Sequence, residues 1–364
     1  MNRSNKEKMT EGLVSQHSSD REIVLVFPGK FKAPDPQVPL SLLYLASPLE
    51  KAGYQVRIID MRMQNPNELS VGKPVFVGIS SMSGLQIRYS LEFAKKVRVE
   101  NPSCPIVWGG IHPSLLPEQT VDSPYVDVVV RGEGEATITD LANRLESNQP
   151  LSSVAGITYK VGGEIKTNPD RPLIELDTIP IALPYHLLPI DEYPAVKSGR
   201  FHVQTSRGCP NRCGFCYNLN FNARRWRGKS PNRVLDEFEY ILKNFPHVKT
   251  IDPIDDNFFV DKRRVKEICE GILSRGIRVA WRANCRFDYL CDYDKKFIGL
   301  LEKAGCTELD FGGETGSERL QSFIHKDVTA DQMVRSVDNL NRWGPSIEPY
   351  VSWMSGLQAK RMMI

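Results

Sequence analysis

The chain has 364 residues, 41% of them hydrophobic and 25% charged, which suits a globular protein of about two domains, each burying its own core. Its 47 lysines and arginines against 44 aspartates and glutamates leave a formal charge of +3, too balanced to argue for nucleic acid or an acidic membrane surface as a partner. Residues 1–20 are polar, read as a disordered leader and lack the apolar core of a signal peptide, and no apolar run is long enough to span a bilayer. A cytoplasmic protein without a membrane span is therefore expected, in which the eight cysteines serve metal binding or burial rather than disulfides.

From residue 21 to about 150 short apolar runs alternate with amphipathic stretches. Strands are expected over 23–27, 56–59, 75–79, 106–108 and 126–130, and helices over 39–51, 86–99 and 135–145, with a shorter one near 115–121. Leu42, Leu43, Leu45 and Leu49 carry the helical spacing of the first, Pro48 weakens its last turn, and Gly53 is a suitable stop. Nearly continuous apolar strands joined by helices predict a parallel sheet covered on both faces, a doubly wound domain of five strands.

Residues 151–199 break that rhythm. Residues 156–167 read as a hairpin turning at Gly162-Gly163, and 169–194, with six prolines, as an extended linker. A second β/α series then fills 200–364, with strands over 201–205, 250–254, 277–281, 307–311 and 349–353 and helices over 231–245, 261–275, 293–304 and 329–343. Ser230-Pro231 supplies an N-cap and first turn, and Gly276, Gly305 and Gly344 supply helix ends. Repeated units of this length predict a partial β/α barrel of TIM-like architecture, with its site at the carboxyl ends of the strands.

The chemistry lies after the first strand of this series, in QTSRGCPNRCGFCYN. Cys209, Cys213 and Cys216 form a C-x3-C-x2-C loop, and three close thiolates hold three corners of an iron–sulfur cubane while leaving one iron free. A structural zinc loop wants a fourth protein ligand, and His202 is the only histidine nearby.

This loop resembles the signature of the radical S-adenosylmethionine (SAM) superfamily, and the resemblance covers about residues 200–356. It implies a 4Fe–4S cluster on Cys209, Cys213 and Cys216, with the amino and carboxylate groups of SAM on the open iron and Phe215 near the adenine. It also draws in Asp255, Asp256 and Asn257 after the second strand, facing the SAM ammonium, and Arg282 and Asn284 after the third. Gly312, Gly313 and Glu314, in a G-x-E-x-G-S segment after the fourth, would approach the ribose. Residues 21–150 resemble the cobalamin-binding, Rossmann-like domain of one radical SAM class, through VPLSLLYLASPLEKAGYQVRIID, VGISSMSGLQ, IVWGGIHPSLLPEQT and VDVVVRGEGEAT. That implies corrin or nucleotide-tail contacts from Ser80, Ser81, Gly109, Gly110, His112, Gly132 and Glu133. The D-x-H-x-x-G ligand motif of cobalamin methyltransferases is absent, since the first loop reads PGKFKAPDPQ, so a histidine beneath cobalt is not expected.

The implied function is reductive SAM cleavage coupled to cobalamin-dependent methyl transfer to an unactivated carbon. The implied partners are a small-molecule substrate and a reductant such as flavodoxin or ferredoxin. Alternatives are an oxidative cyclase of the Mg-protoporphyrin ester type, a radical SAM enzyme whose first domain is only a scaffold, and a non-catalytic iron–sulfur protein. The family barrel has six units where five are counted here, so a C-terminally truncated core of low activity is expected.

Overall fold

The computed structural model describes residues 21–354; the polar leader and the ending SGLQAKRMMI lie outside the described residues. In chain order the first half runs β1 (Glu22–Phe27), α1 (Leu40–Lys51), β2 (Gln55–Asp60), β3 (Phe76–Ser80), α2 (Leu85–Glu100), β4 (Ile106–Gly109), α3 (Ile111–Leu115), α4 (Pro117–Val121), β5 (Val128–Val130) and α5 (Glu135–Glu146), then the hairpin β6 (Ile157–Val161) and β7 (Glu164–Thr167). The strands order as β2-β1-β3-β4-β5-β6-β7, parallel from β2 to β5 and antiparallel thereafter. The five expected parallel strands and the expected hairpin are all present; what the expectation lacks is their union, in which β6 adds to the edge of β5 and satisfies backbone groups that an exposed edge would leave open.

Alternation along β1 shows why its sequence is apolar throughout. Ile23 and Leu25 face the core shared with α1 and α5, while Val24 and Val26 face the core shared with α2. Each such side chain, fully buried, contributes roughly 1.5–3 kcal/mol. The chain leaves β1 toward β2 on one side and returns to β3 on the other, so a crevice opens beyond the carboxyl ends of β1 and β3.

The proline-rich stretch is no free linker. Leu176, Ile179, Leu183, Tyr185, Leu188, Ile190 and Tyr193 are all buried in one continuous core that includes both Leu25 of the first sheet and Phe201 of the second. Short helical turns and α6 (Pro194–Lys197) replace the extended path expected from the prolines.

The second half follows as β8 (Arg200–Val203), β9 (Ser206–Arg207), β10 (Arg227–Gly228), α7 (Pro231–Asn244), β11 (Thr250–Pro253), α8 (Lys262–Ser274), β12 (Ala280–Cys285), α9 (Phe287–Leu290), α10 (Lys295–Lys303), β13 (Cys306–Glu314), α11 (Glu318–Phe323), α12 (Ala330–Trp343) and β14 (Glu348–Trp353). Among the described residues, five parallel strands order as β14-β13-β12-β11-β8, and β9 pairs with β10 in a separate antiparallel ribbon. Ser230, Asp261, Asp294 and Thr329 cap their helices with side-chain oxygens, Thr329 in a capping box with Gln332.

The third strand starts at Ala280 instead of residue 277, because the Ile277 amide donates to Ile272 O at 3.0 Å and finishes the preceding helix. Gly344, expected as a left-handed helix end, has φ −147°. Gly305 does adopt φ +90°, and a Cβ there would lie 2.2 Å from the Val279 carbonyl oxygen. Gly305→Ala should therefore lower the unfolding free energy by about 2 kcal/mol or more, read by urea denaturation.

Candidate functional site

The second sheet presents its first loop over a set of buried polar supports. Asp255, fully buried beyond β11, accepts hydrogen bonds from the Thr205 amide, the Thr205 hydroxyl and the Ser206 hydroxyl, each at 2.6 Å. Arg264, itself buried, donates to Thr205 O at 2.9 Å and Lys229 O at 2.7 Å. These bonds fix the two ends of the segment that leaves β8 and returns to α7. Gly208 follows at φ +84°, where a Cβ would sit 2.0 Å from Arg225 O, so only glycine closes the turn before Cys209.

Cys213 is buried, and Cys209 and Cys216 are half-buried. The amide of Asn211 donates to Cys209 Sγ at 3.2 Å, and a buried guanidinium, Arg286, donates to Cys213 Sγ at 3.4 Å. Arg286 also donates to Asp288 at 2.8 and 3.0 Å and to Lys326 O at 2.7 Å. The Gly214 amide donates to Ile324 O at 2.7 Å, so residues 324–327 clasp the loop from below. Among the described residues no three His, Cys, Asp or Glu side chains converge on a point for a single ion. In a cubane each thiolate takes a separate iron, and the N–H donors directed at Cys209 and Cys213 suit such ligands. The other cysteines lie elsewhere, and burial pushes the Cys104 thiol up to about 11 and the Cys269 thiol up to about 12, as expected of inert core residues.

A cavity of about 550 Å³ separates this loop from the carboxyl edge of the first sheet. Ser80, Gly109, Gly110, Gly132 and Glu133 of the first domain line it together with Gln204, Arg207, Tyr217 and Asp256 of the second. The Gly109-Gly110 and Gly132 segments present backbone, and among the described residues no histidine lines it. A largely apolar cavity with a few polar groups fits a corrin bound without a protein imidazole.

Several expected contacts fall elsewhere. Ser81 is fully buried beneath the wall, where its hydroxyl accepts from Ser90 at 3.1 Å, and His112 sits outside the lining beside Ser83 at 3.2 Å, its pKa lowered by burial. Arg282 lies within β12, not beyond it, and is spent on Asp252 and Glu308 at 2.9 Å each. Asp255 is spent on the loop as described, whereas the exposed Asp256 accepts from the Gly208 amide at 3.0 Å and from the Tyr217 hydroxyl. Asn284 is exposed near the end of β12 and donates to Asp255 O at 2.8 Å, and the buried Asn257 lies 3.9 Å from Cys209 Sγ.

Glu314 adopts φ +61° and pairs with Lys326 at 2.9 Å, and Gly312 makes room for that pair, since a Cβ would lie 2.5 Å from the Glu314 carboxylate. Gly313 packs against Val351. Phe215 is 45% exposed above the loop. Arg62 was not anticipated. It lines the cavity 4.1 Å over the Phe27 ring, held by Asp60 at 2.7 and 2.9 Å, and the linker's Tyr193 hydroxyl donates to the same carboxylate.

Residues 31–142 match the family described as B12 binding domain, and residues 203–346 match the Radical SAM superfamily. An uncharacterized methyltransferase of Pyrococcus horikoshii is 34% identical over 315 residues, which cover 84% of this chain and 67% of that protein. The chain belongs to the radical SAM superfamily, in the class with a B12-binding domain ahead of the radical SAM domain.

The anaerobic magnesium-protoporphyrin IX monomethyl ester cyclase of Rubrivivax gelatinosus is 27% identical, over 83% of this chain and 56% of the cyclase. Among solved structures, the cobalamin-dependent SAM radical enzyme OxsB with aqua-cobalamin and SAM bound superimposes with a TM-score of 0.77 at 26% identity, over 93% of this chain and 50% of that one. The chain thus spans from half to two thirds of the length of these relatives. No described helix is long and apolar enough to cross a membrane.

Glu133 of the RGEGE segment reaches across to the radical SAM domain instead of standing free. Burial alone would raise its carboxyl, but the hydrogen bond from Arg227 and the charge of Arg207 hold it below its ordinary value. Its stabilising contribution is therefore complete above the ordinary carboxylate range and is lost only as pH falls through the depressed value. For the loop itself, Asp255→Ala should cost about 3 kcal/mol or more, leaving three buried donors unpaired, while Asp256→Ala at an exposed position should cost about 1 kcal/mol. Urea denaturation of the two variants side by side checks the contrast.

Proposed function

We propose that this chain forms the cofactor-binding part of a cobalamin-dependent radical SAM methyltransferase, acting on an unactivated carbon of a small molecule. The observation that carries it is one cavity lined by both domains: Arg207, Tyr217, Phe221 and Asn222, which flank the cysteines, on the radical SAM side and the glycine-lined edge on the B12-binding side. Cys209, Cys213 and Cys216 would hold the cluster, with Asn211 and Arg286 donating to its sulfur ligands. Phe215, exposed beside the third cysteine, offers a ring for the adenine of SAM, and Tyr217 and Asp256 face the cavity at its root. Gly132, where a Cβ would meet nothing within 4 Å, leaves room for the corrin, Gly109 and Gly110 line the same cavity, and Ser80 offers a hydroxyl beside it. When bound, these groups supply one-electron cleavage of the SAM sulfonium bond and carriage of a methyl group. An external one-electron reductant of the flavodoxin or ferredoxin type is required.

Methyl transfer is preferred over oxidative cyclisation because the relative named a methyltransferase shares 34% identity where the cyclase shares 27%, over similar spans. The test is anaerobic reconstitution with iron, sulfide and cobalamin, followed by incubation with methyl-labelled SAM, dithionite and candidate substrates, with products read by mass spectrometry. Label transferred to a carbon of the product supports the reading, and a ring-closed, unlabelled product sinks it.

Two further outcomes are expected. Cys213→Ala should lose the cluster absorbance and SAM cleavage together, while Cys269→Ala keeps the iron content of the unaltered chain. Electron paramagnetic resonance of cob(II)alamin bound to 15N-labelled protein should show no 15N superhyperfine splitting from a protein imidazole, since no described histidine lines the cavity. A resolved axial 15N splitting would contradict that assignment.

A further inference from the structure

The short ribbon β9–β10 brackets the cysteine loop, because its two strands are the last ordered pairing before residue 208 and the first after residue 226. In its register Arg207 stands directly opposite Arg227. Two like charges facing each other across an antiparallel pair destabilise it, and burial makes the repulsion stronger. Here the side chains are 12% and 21% exposed.

The neutralising charge comes from the other domain. Glu133 Oε1 forms an ion pair with Arg207 at 3.1 Å and accepts from Arg227, and Glu133 Oε2 accepts from the Ile174 amide at 3.0 Å. Glu135 adds a second carboxylate at 2.6 Å from Arg207, and Arg227 also donates to Ile174 O at 2.6 Å. Two arginines from the radical SAM domain thus meet two glutamates from the B12-binding domain, with the Glu133 side chain only 5% exposed. Removing one carboxylate leaves a net positive charge on a buried cross-strand pair, the costly way to break such a network.

We infer that Glu133 is a positioning residue for the iron–sulfur loop: it closes the ribbon around Cys209, Cys213 and Cys216 by neutralising Arg207 and Arg227, so that the docked B12-binding domain completes the cluster site even without a corrinoid. This rests on the function proposed above. It assigns Glu133 a role toward the cluster in place of the corrin contact expected from its motif.

The experiment uses the full chain, reconstituted anaerobically with iron and sulfide and with no cobalamin added. Iron and sulfide content and the electron paramagnetic resonance of the reduced cluster are measured for the unaltered chain, E133Q, R227Q and E133Q/R227Q. E133Q should retain at least about threefold less cluster, in keeping with the loss of one partner from a buried ion network. The double variant, which restores one arginine to one glutamate, should regain at least half of the loss. A corrin contact would give no loss in the absence of cobalamin, and a merely bulky structural role would give no rescue by R227Q.

Full loading of E133Q would overturn the inference. So would a double variant no better than the single one, whether through lost iron or through misfolding seen by circular dichroism. Failure of the unaltered chain to take up any 4Fe–4S cluster would refute the proposed function and this inference together, whereas a loaded wild type beside a loaded E133Q refutes this inference alone.

Discussion

Two sheets meet with the carboxyl edges of their parallel strands toward one cavity, and the packing of residues 176–193 between them is what keeps that geometry. Tyr185, Ile190 and Tyr193 bury themselves in a core common to both sheets, and the Tyr193 hydroxyl holds Asp60, which in turn holds Arg62 on the cavity wall. The glycine edge of the first domain and the segment around the cysteines of the second are therefore brought together, bridged by the pairing of Glu133 with Arg207 and Arg227. The chemistry expected of the family needs this opposition, since cofactors on separate surfaces cooperate only when their carriers are fixed in relative position.

Around the cysteines the polar groups divide into those that hold the loop and those that face the cavity. Asp255, Arg264 and Thr205 are buried, and the bonds of Asp255 and Arg264 to Thr205 set the backbone path. Asp256, Tyr217 and Phe215 remain at the surface of the site. The division follows from burial: a carboxylate without solvent must be paired within the fold, and only the exposed one keeps capacity for something else.

Much of this was legible in the sequence because it rests on local pattern. The apolar runs of β1, β3 and β4, the helical spacing of α1 and the cysteine spacing each depend on neighbouring residues, and each appears near its expected place. What escaped depends on distant approach. Nothing local distinguishes Arg282, consumed inside the sheet by Asp252, from Arg286, four positions on and in contact with Cys213. Glu133 and Arg207 lie far apart in the chain, and only the docking of the domains joins them. The prolines of 169–194 do signal the absence of regular structure, but the leucines, isoleucines and tyrosines between them were the overlooked sign that the stretch is core.

The continuous core has a consequence for how many units the protein contains. The B12-binding and radical SAM segments are separate matches with a gap at 143–202, as befits modules that combine independently. Yet the side chains in that gap belong to the interior of both, and neither sheet can shed its neighbour without exposing leucine, isoleucine and tyrosine surface to water. Cooperativity in unfolding follows shared burial, not modular ancestry. The boundary that separates two families in the sequence is therefore the place where the folded molecule is least divisible.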